Sequence, residues 1–137
     1  MRPSLTYADW NPIMSLGGKM PYDVIHRMRE GKEIVVQGDG TSLWTITHNT
    51  DFAKGFVGLF GNEKAVGEAF HITTDEVLDW DRIYTYLAHA AGVEIRIVHI
   101  ATDYIGEVYP ELRDGLAGDH TVSAVFDNSK IKKFVPD

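Results

Sequence analysis

A glycine-bounded turn constrains this chain most. Residues 33–37 (Glu-Ile-Val-Val-Gln) and 43–48 (Leu-Trp-Thr-Ile-Thr-His) are β-rich runs, and Gly38-Asp39-Gly40 lies between them. Glycine reaches positive φ at no steric cost, so two such runs around such a turn predict a β-hairpin. The same Gly-x-Gly is part of a phosphate-cradling fingerprint, but that motif needs a third glycine and a helix N-terminus after it. Here the third position is Leu43 and a strand follows. The hairpin is the expectation.

Helical spacing surrounds this unit. Before it, Pro21 suits a first helical turn, Val24, Ile25 and Met28 share a face, and Gly31 suits the stop. After it, Phe52, Phe56, Leu59 and Phe60 recur at helical spacing with Val57 beside them, Asn49 and Asp51 suit the cap, and Gly61–Asn62 ends the run. Residues 68–73 read as a strand. Asp79 suits the N-cap of a helix through Ile83, Tyr84, Leu87 and Ala91, closed by Gly92. Residues 93–100 read as a further strand. Thr102 or Asp103 suits the cap of a helix toward Val108, which Pro110 interrupts. Residues 122–126 read as a last strand, and Asp127 suits the cap of a final turn through Ile131 and Phe134. Residues 1–19, with Pro3, Pro12, Gly17 and Gly18, read as irregular. Alternating strands and helices argue for an α/β fold with some antiparallel pairing, in one domain over residues 1–137.

Composition narrows the function classes. At 44% hydrophobic and 24% charged, 137 residues can bury a real core. Without cysteine there is no disulfide, thiolate nucleophile or zinc–sulfur site. A net charge of −7, with Lys130, Lys132 and Lys133 as the sole basic cluster, argues against nucleic acid. No apolar run is long enough to span a membrane, and no secretory pattern opens the chain, so a cytoplasmic address is expected.

Candidate chemistry is sparse. Six histidines (His26, His48, His71, His89, His99 and His120) include no i, i+4 pair on one helix. His48, His71 and His99 lie in or beside predicted strands, but no carboxylate follows at a ligand spacing, so no metal is expected. Tyr7 and Trp10 stand near Ser4 and Thr6, a mixture that can line a small-molecule pocket or simply pack a loop. No tyrosine has a lysine four residues on, and no Ser/His/Asp set is placed to argue nucleophilic catalysis.

Four motifs in order carry a resemblance. They are Arg2-Pro3-Ser4-x-Thr6-Tyr7, the run from Val36 through Gly38-Asp39-Gly40 to Asp51, Gly67-Glu-Ala-Phe-His-Ile72, and Asp127-Asn-Ser-Lys130. Together they resemble the extended short-chain dehydrogenase/reductases, the NAD-dependent epimerase/dehydratases, in their C-terminal, substrate-side part. The resemblance implies an incomplete Rossmann-type remnant plus a small substrate lobe with a β-hairpin. It implies a substrate-binding part that is inactive alone, with Tyr7, Trp44, His48 and His71 facing the substrate cleft. Both the glycine-rich NAD loop and the Tyr-x-x-x-Lys pair would lie before Met1, so this chain holds no catalytic or cofactor-binding residue and NAD is implied only for a full-length member. Trp44 stands where nucleotide-sugar epimerases commonly carry a phosphate-binding arginine, and an indole cannot replace that charged bidentate clamp. A nucleoside-diphosphate sugar is therefore not expected as substrate. If the aromatic helix at 51–60 normally packs between Rossmann layers, its stripe lacks a partner here and a homo-oligomer is expected. The alternative is a self-contained, non-catalytic small-molecule-binding or assembly domain.

Overall fold

The computed structural model describes residues 1–13, 16, 20 and 22–135. Gly17, Gly18 and the helix start expected at Pro21 lie outside these residues. The elements run β1 (Arg2–Pro3), β2 (Leu5–Tyr7), α1 (Asp23–Arg29), β3 (Ile34–Gln37), β4 (Leu43–His48) and α2 (Asn49–Gly58). A 3₁₀ turn at Glu63–Ala65 follows, then β5 (His71–Ile72), β6 (Val77–Asp79), α3 (Trp80–Ala90), β7 (Ile97–Ile100) and α4 (Thr102–Val108). A 3₁₀ turn (Pro110–Leu112), the single turn α5 (Arg113–Gly115), a π turn (Leu116–His120) and α6 (Ser129–Phe134) complete the chain.

The α/β class is as expected, and the strands form three small sheets: β1 with β5, β2–β4–β6, and β3 with β7. The hairpin is not formed. β3 pairs in parallel with β7, from Ile34 against Ile97 to Gln37 against Ile100, while β4 takes β2 in parallel and β6 antiparallel. Gly38 and Gly40 do adopt positive φ, 60° and 74°. The turn they make is used differently: Gly38 N donates to Ile100 O, and Gly40 O accepts from Trp80 N and Asp81 N. It extends the β3–β7 ladder and clamps the start of α3. Mostly buried, apolar β3 suits a covered parallel strand better than a half-solvated hairpin arm.

Other boundaries also differ. The opening residues expected to be irregular supply β1 and β2; Pro3, lacking an N–H, is tolerated because β1 has a neighbour on one side only. The strand expected at 122–126 reduces to a single bridge of Ala124 to Trp44. His48 occupies the N-cap of α2 without a side-chain cap bond, and Asp51 pairs with Lys54 at 2.8 Å instead of capping. Ala101 precedes α4 without a side-chain cap, so neither Thr102 nor Asp103 fills that role. Asn128 is the N-cap of α6, and Asp127 accepts from Ser129 N at 2.8 Å. Asp79 caps α3 as expected, accepting from Arg82 N at 2.8 Å.

Two apolar clusters hold these elements. Val24 and Met28 of α1, Ile34 and Val36 of β3, and Trp80 and Tyr84 of α3 belong to the larger one. The smaller gathers Phe70, Ile72 and Ile131, with Phe52 and Leu59 of α2 against it.

Gly40 links turn and helix sterically. A Cβ there would sit 2.2 Å from Asp81 Oδ1 and 2.8 Å from His99 Nε2, whereas at Gly31 (φ +68°) it would meet nothing. Gly31→Ala carries only the left-handed backbone cost, about 1–2 kcal/mol. Gly40→Ala adds displacement of the Asp81–His99 contact and is expected to cost about 2–4 kcal/mol in urea unfolding. Equal losses for the two variants would show that the contact contributes nothing.

Candidate functional site

The parallel register of β2 on β4 sets Tyr7 beside His48, at the carboxyl ends of both strands. Their rings meet edge to face, with centroids 5.2 Å apart. Immediately after, the chain enters α2, and Thr50 in its first turn places Oγ1 2.7 Å from His48 Nδ1. After β2, an antiparallel bridge between Ala8 and Asn11 reverses the chain, putting Asp9 at the tip. Its carboxylate faces His48 Nε2 at 3.4 Å. The Tyr22 hydroxyl donates to the Asp9 carbonyl and ties α1 to this tip. A carboxylate on Nε2 favours the proton there, which leaves Nδ1 as an acceptor for the Thr50 hydroxyl.

The other two cleft candidates lie elsewhere. Trp44 is 3% exposed in the main core, 5.9 Å by ring centroids from both Trp80 and His120. Its Nε1 has no hydrogen-bond partner among the described residues. Trp80 Nε1 is satisfied, donating to His120 O at 2.9 Å, and Ser42 Oγ donates to the same carbonyl at 2.8 Å. His71, on β5, stacks on Phe126 at 4.7 Å with Nδ1 buried and unpartnered. So the structure brings Tyr7 onto His48, while Trp44 lies within the core cluster on which Tyr7 also packs and His71 stacks on Phe126.

Sequence reasoning missed Asp9 and Thr50. Thr50 stands two residues after His48, the spacing of a local side-chain contact at a strand-to-helix junction. Asp9 had no such signal, because its approach depends on the β2–β4 pairing. A second pair was also missed: His99 Nε2 lies 2.9 Å from Asp81 Oδ1, against Gly40. Among the described residues no three histidine or acidic side chains are grouped to hold a metal ion.

An open groove of about 510 Å³ lies at the C-terminal end of α2, walled by Met1, Phe56, Leu59, Phe60, Val66 and Phe70. Phe52 stacks on Phe56 at 6.2 Å, and Phe56 meets Phe60 edge to face at 4.8 Å. No residue of α2 is fully buried, and Phe60 is 66% exposed. Glu63 and Glu68 also line the groove, and a hydrogen bond from Lys130 holds the Glu68 carboxyl below the usual glutamate range.

Comparison with known proteins places this fold. No family model matches the sequence. Over 75 residues, 54% of the chain, it is 35% identical to the chloroplast stem-loop binding protein of 41 kDa b from Arabidopsis thaliana, of which it spans 20%. Among solved structures it resembles the UDP-glucuronic acid 4-epimerase of Bacillus cereus, solved with UDP-glucuronic acid and NAD (TM-score 0.65, 20% identity, 98% of this chain and 37% of that one). It likewise resembles the UDP-N-acetylglucosamine 4-epimerase of the same organism (TM-score 0.66, 14% identity, 99% and 38%). An epimerase of Methanothermobacter thermautotrophicus matches at TM-score 0.67 and 13% identity, over 98% and 36%. The chain thus spans little more than a third of these structures. It carries part of the fold of the NAD-dependent UDP-sugar epimerases, the extended short-chain dehydrogenase/reductases that its motifs resemble.

Proposed function

We propose that this chain is the substrate-binding part of an NAD-dependent epimerase/dehydratase-like oxidoreductase and does not catalyse that reaction by itself. One observation carries the reading: nearly all of the chain superposes on epimerases while matching little more than a third of each. Two features support it. The only Gly-x-Gly lies between two strands and clamps α3, and no tyrosine is followed by a lysine four residues on. NAD is then held by residues outside this chain, and Tyr7 and His48 are the side chains that contact substrate. Buried Trp44 offers no charge to a diphosphate, which argues against a nucleoside-diphosphate sugar.

Assembly follows from the same reading. The exposed rings of Phe56 in α2 and Phe60 just beyond it favour association with a second copy, since apolar surface gains by leaving water. A cytoplasmic address goes with it; no helix among the described residues is long and apolar enough to cross a membrane. The stem-loop binding named for the Arabidopsis relative does not carry over. Lys130 and Lys132 are engaged by Glu68 and Asp75, and the chain is net acidic.

Calorimetric titration of the chain with NAD is expected to give no heat of binding at micromolar ligand. A micromolar Kd overturns the reading. Sedimentation at micromolar protein is expected to give a dimer or larger species that Phe60→Glu returns to monomer. A wild-type monomer removes the association proposal alone.

A further inference from the structure

We propose that Asp9, His48 and Thr50 form a nucleophilic relay in which the Thr50 hydroxyl attacks an ester carbonyl. Three groups of the required types stand in line: a hydroxyl 2.7 Å from Nδ1, and a carboxylate 3.4 Å from Nε2 of the same imidazole. This is the hydroxyl–base–carboxylate order that activates an otherwise weak nucleophile. Tyr7 packs edge to face with the imidazole and limits its rotation. Thr50 is exposed, so an ester can reach it. The hydroxyl also sits in the first turn of a ten-residue helix whose N-cap side chain makes no cap bond. The N–H groups of that turn are not capped by the His48 side chain and are the donors this relay assigns to the oxyanion that develops on attack.

In the step itself, Thr50 Oγ bonds to the carbonyl carbon as its proton passes to His48 Nδ1. The Asp9 carboxylate steadies the resulting imidazolium. The carbon–oxygen bond to the alcohol then breaks, and the alcohol leaves with the proton from Nδ1. Water, deprotonated by the same nitrogen, then attacks the acyl carbon; the bond from that carbon to Thr50 Oγ breaks, Oγ takes the proton back from Nδ1, and a carboxylic acid leaves. No cofactor or redox partner is needed.

His48 is also assigned above to substrate contact, but the relay does not depend on that assignment, because its test reads the hydroxyl directly. The whole chain is treated with an alkyl fluorophosphonate, which phosphonylates an activated hydroxyl with loss of fluoride, and the modified residue is mapped by tandem mass spectrometry. The label is expected on Thr50. Thr50→Ser should be labelled at the same position and Thr50→Val should not, both with wild-type circular dichroism. His48→Gln should slow labelling by about 100-fold or more, the range lost with a general base. Asp9→Asn should slow it only a few-fold, because a fully exposed carboxylate is screened by water. An unlabelled Thr50 in the wild-type protein overturns the relay, as does equal labelling of His48→Gln. NAD calorimetry is independent of both outcomes, so the two proposals fail separately.

Discussion

Trp44→Arg is expected to leave the chain largely unfolded at 25 °C. The position is 3% exposed, flanked by the Trp80 and His120 rings, with Leu78 facing it across β4 and β6. None of these offers a carboxylate. A guanidinium there loses its hydration without gaining a counter-ion, which costs several kcal/mol, on the order of the whole stability of a domain this size. Trp44→Phe is the control. It removes an indole N–H that has no partner, so it forfeits packing but no hydrogen bond, and should cost about 1–2 kcal/mol. Urea unfolding followed by circular dichroism separates the two. An arginine variant as stable as the phenylalanine one would mean that position 44 opens to water, and would restore it as a site for a charged substrate.

Trp80→Ala is expected to cost about 3–5 kcal/mol, the range for emptying a large aromatic site in a core. Trp80 is fully buried at the first position of α3, touching Trp44, Tyr84 and His120, and its Nε1 holds the His120 carbonyl. That bond can be weighed separately. Trp80→Phe and Trp44→Phe remove the same atoms from neighbouring sites, but only the first breaks a hydrogen bond. Trp80→Phe should therefore be the more destabilising by about 1 kcal/mol. If the two are equal in denaturant unfolding, the indole–carbonyl bond adds nothing net.

Helices were legible from residue pattern because their determinants are local. Val24, Ile25 and Met28 do form the buried face of α1, and Asp79 and Gly92 do bound α3. The positive φ of Gly38 and Gly40 was legible for the same reason. What the turn joins was not, because a strand's partner is chosen by burial and by distant segments rather than by its own residues. β6 escaped notice, as three residues merging into a helix cap carry no period-2 signal. At the candidate site, Tyr7 and His48 were singled out through likeness to a family, Tyr7 also through its neighbours Ser4, Thr6 and Trp10, and their mutual contact follows from a parallel register that no local pattern encodes. Trp44 stood out in the sequence as a departure from the phosphate-binding arginine of the family the chain resembles. Its packing against His120 could not be read, since that contact spans 76 positions of chain.

The missing hairpin also bears on how quickly the chain can find its structure. Among the described residues every strand pairing joins segments at least 32 residues apart, the shortest being Thr45 with Val77 and the longest Arg2 with His71. No ladder can start by closing a tight turn in microseconds, and each must first meet the entropy of a long loop. Topologies dominated by such remote pairings reach their native state in about milliseconds to seconds. Through that interval β4, destined for neighbours on both sides, has both edges unpaired, which makes it the segment most open to capture by another chain.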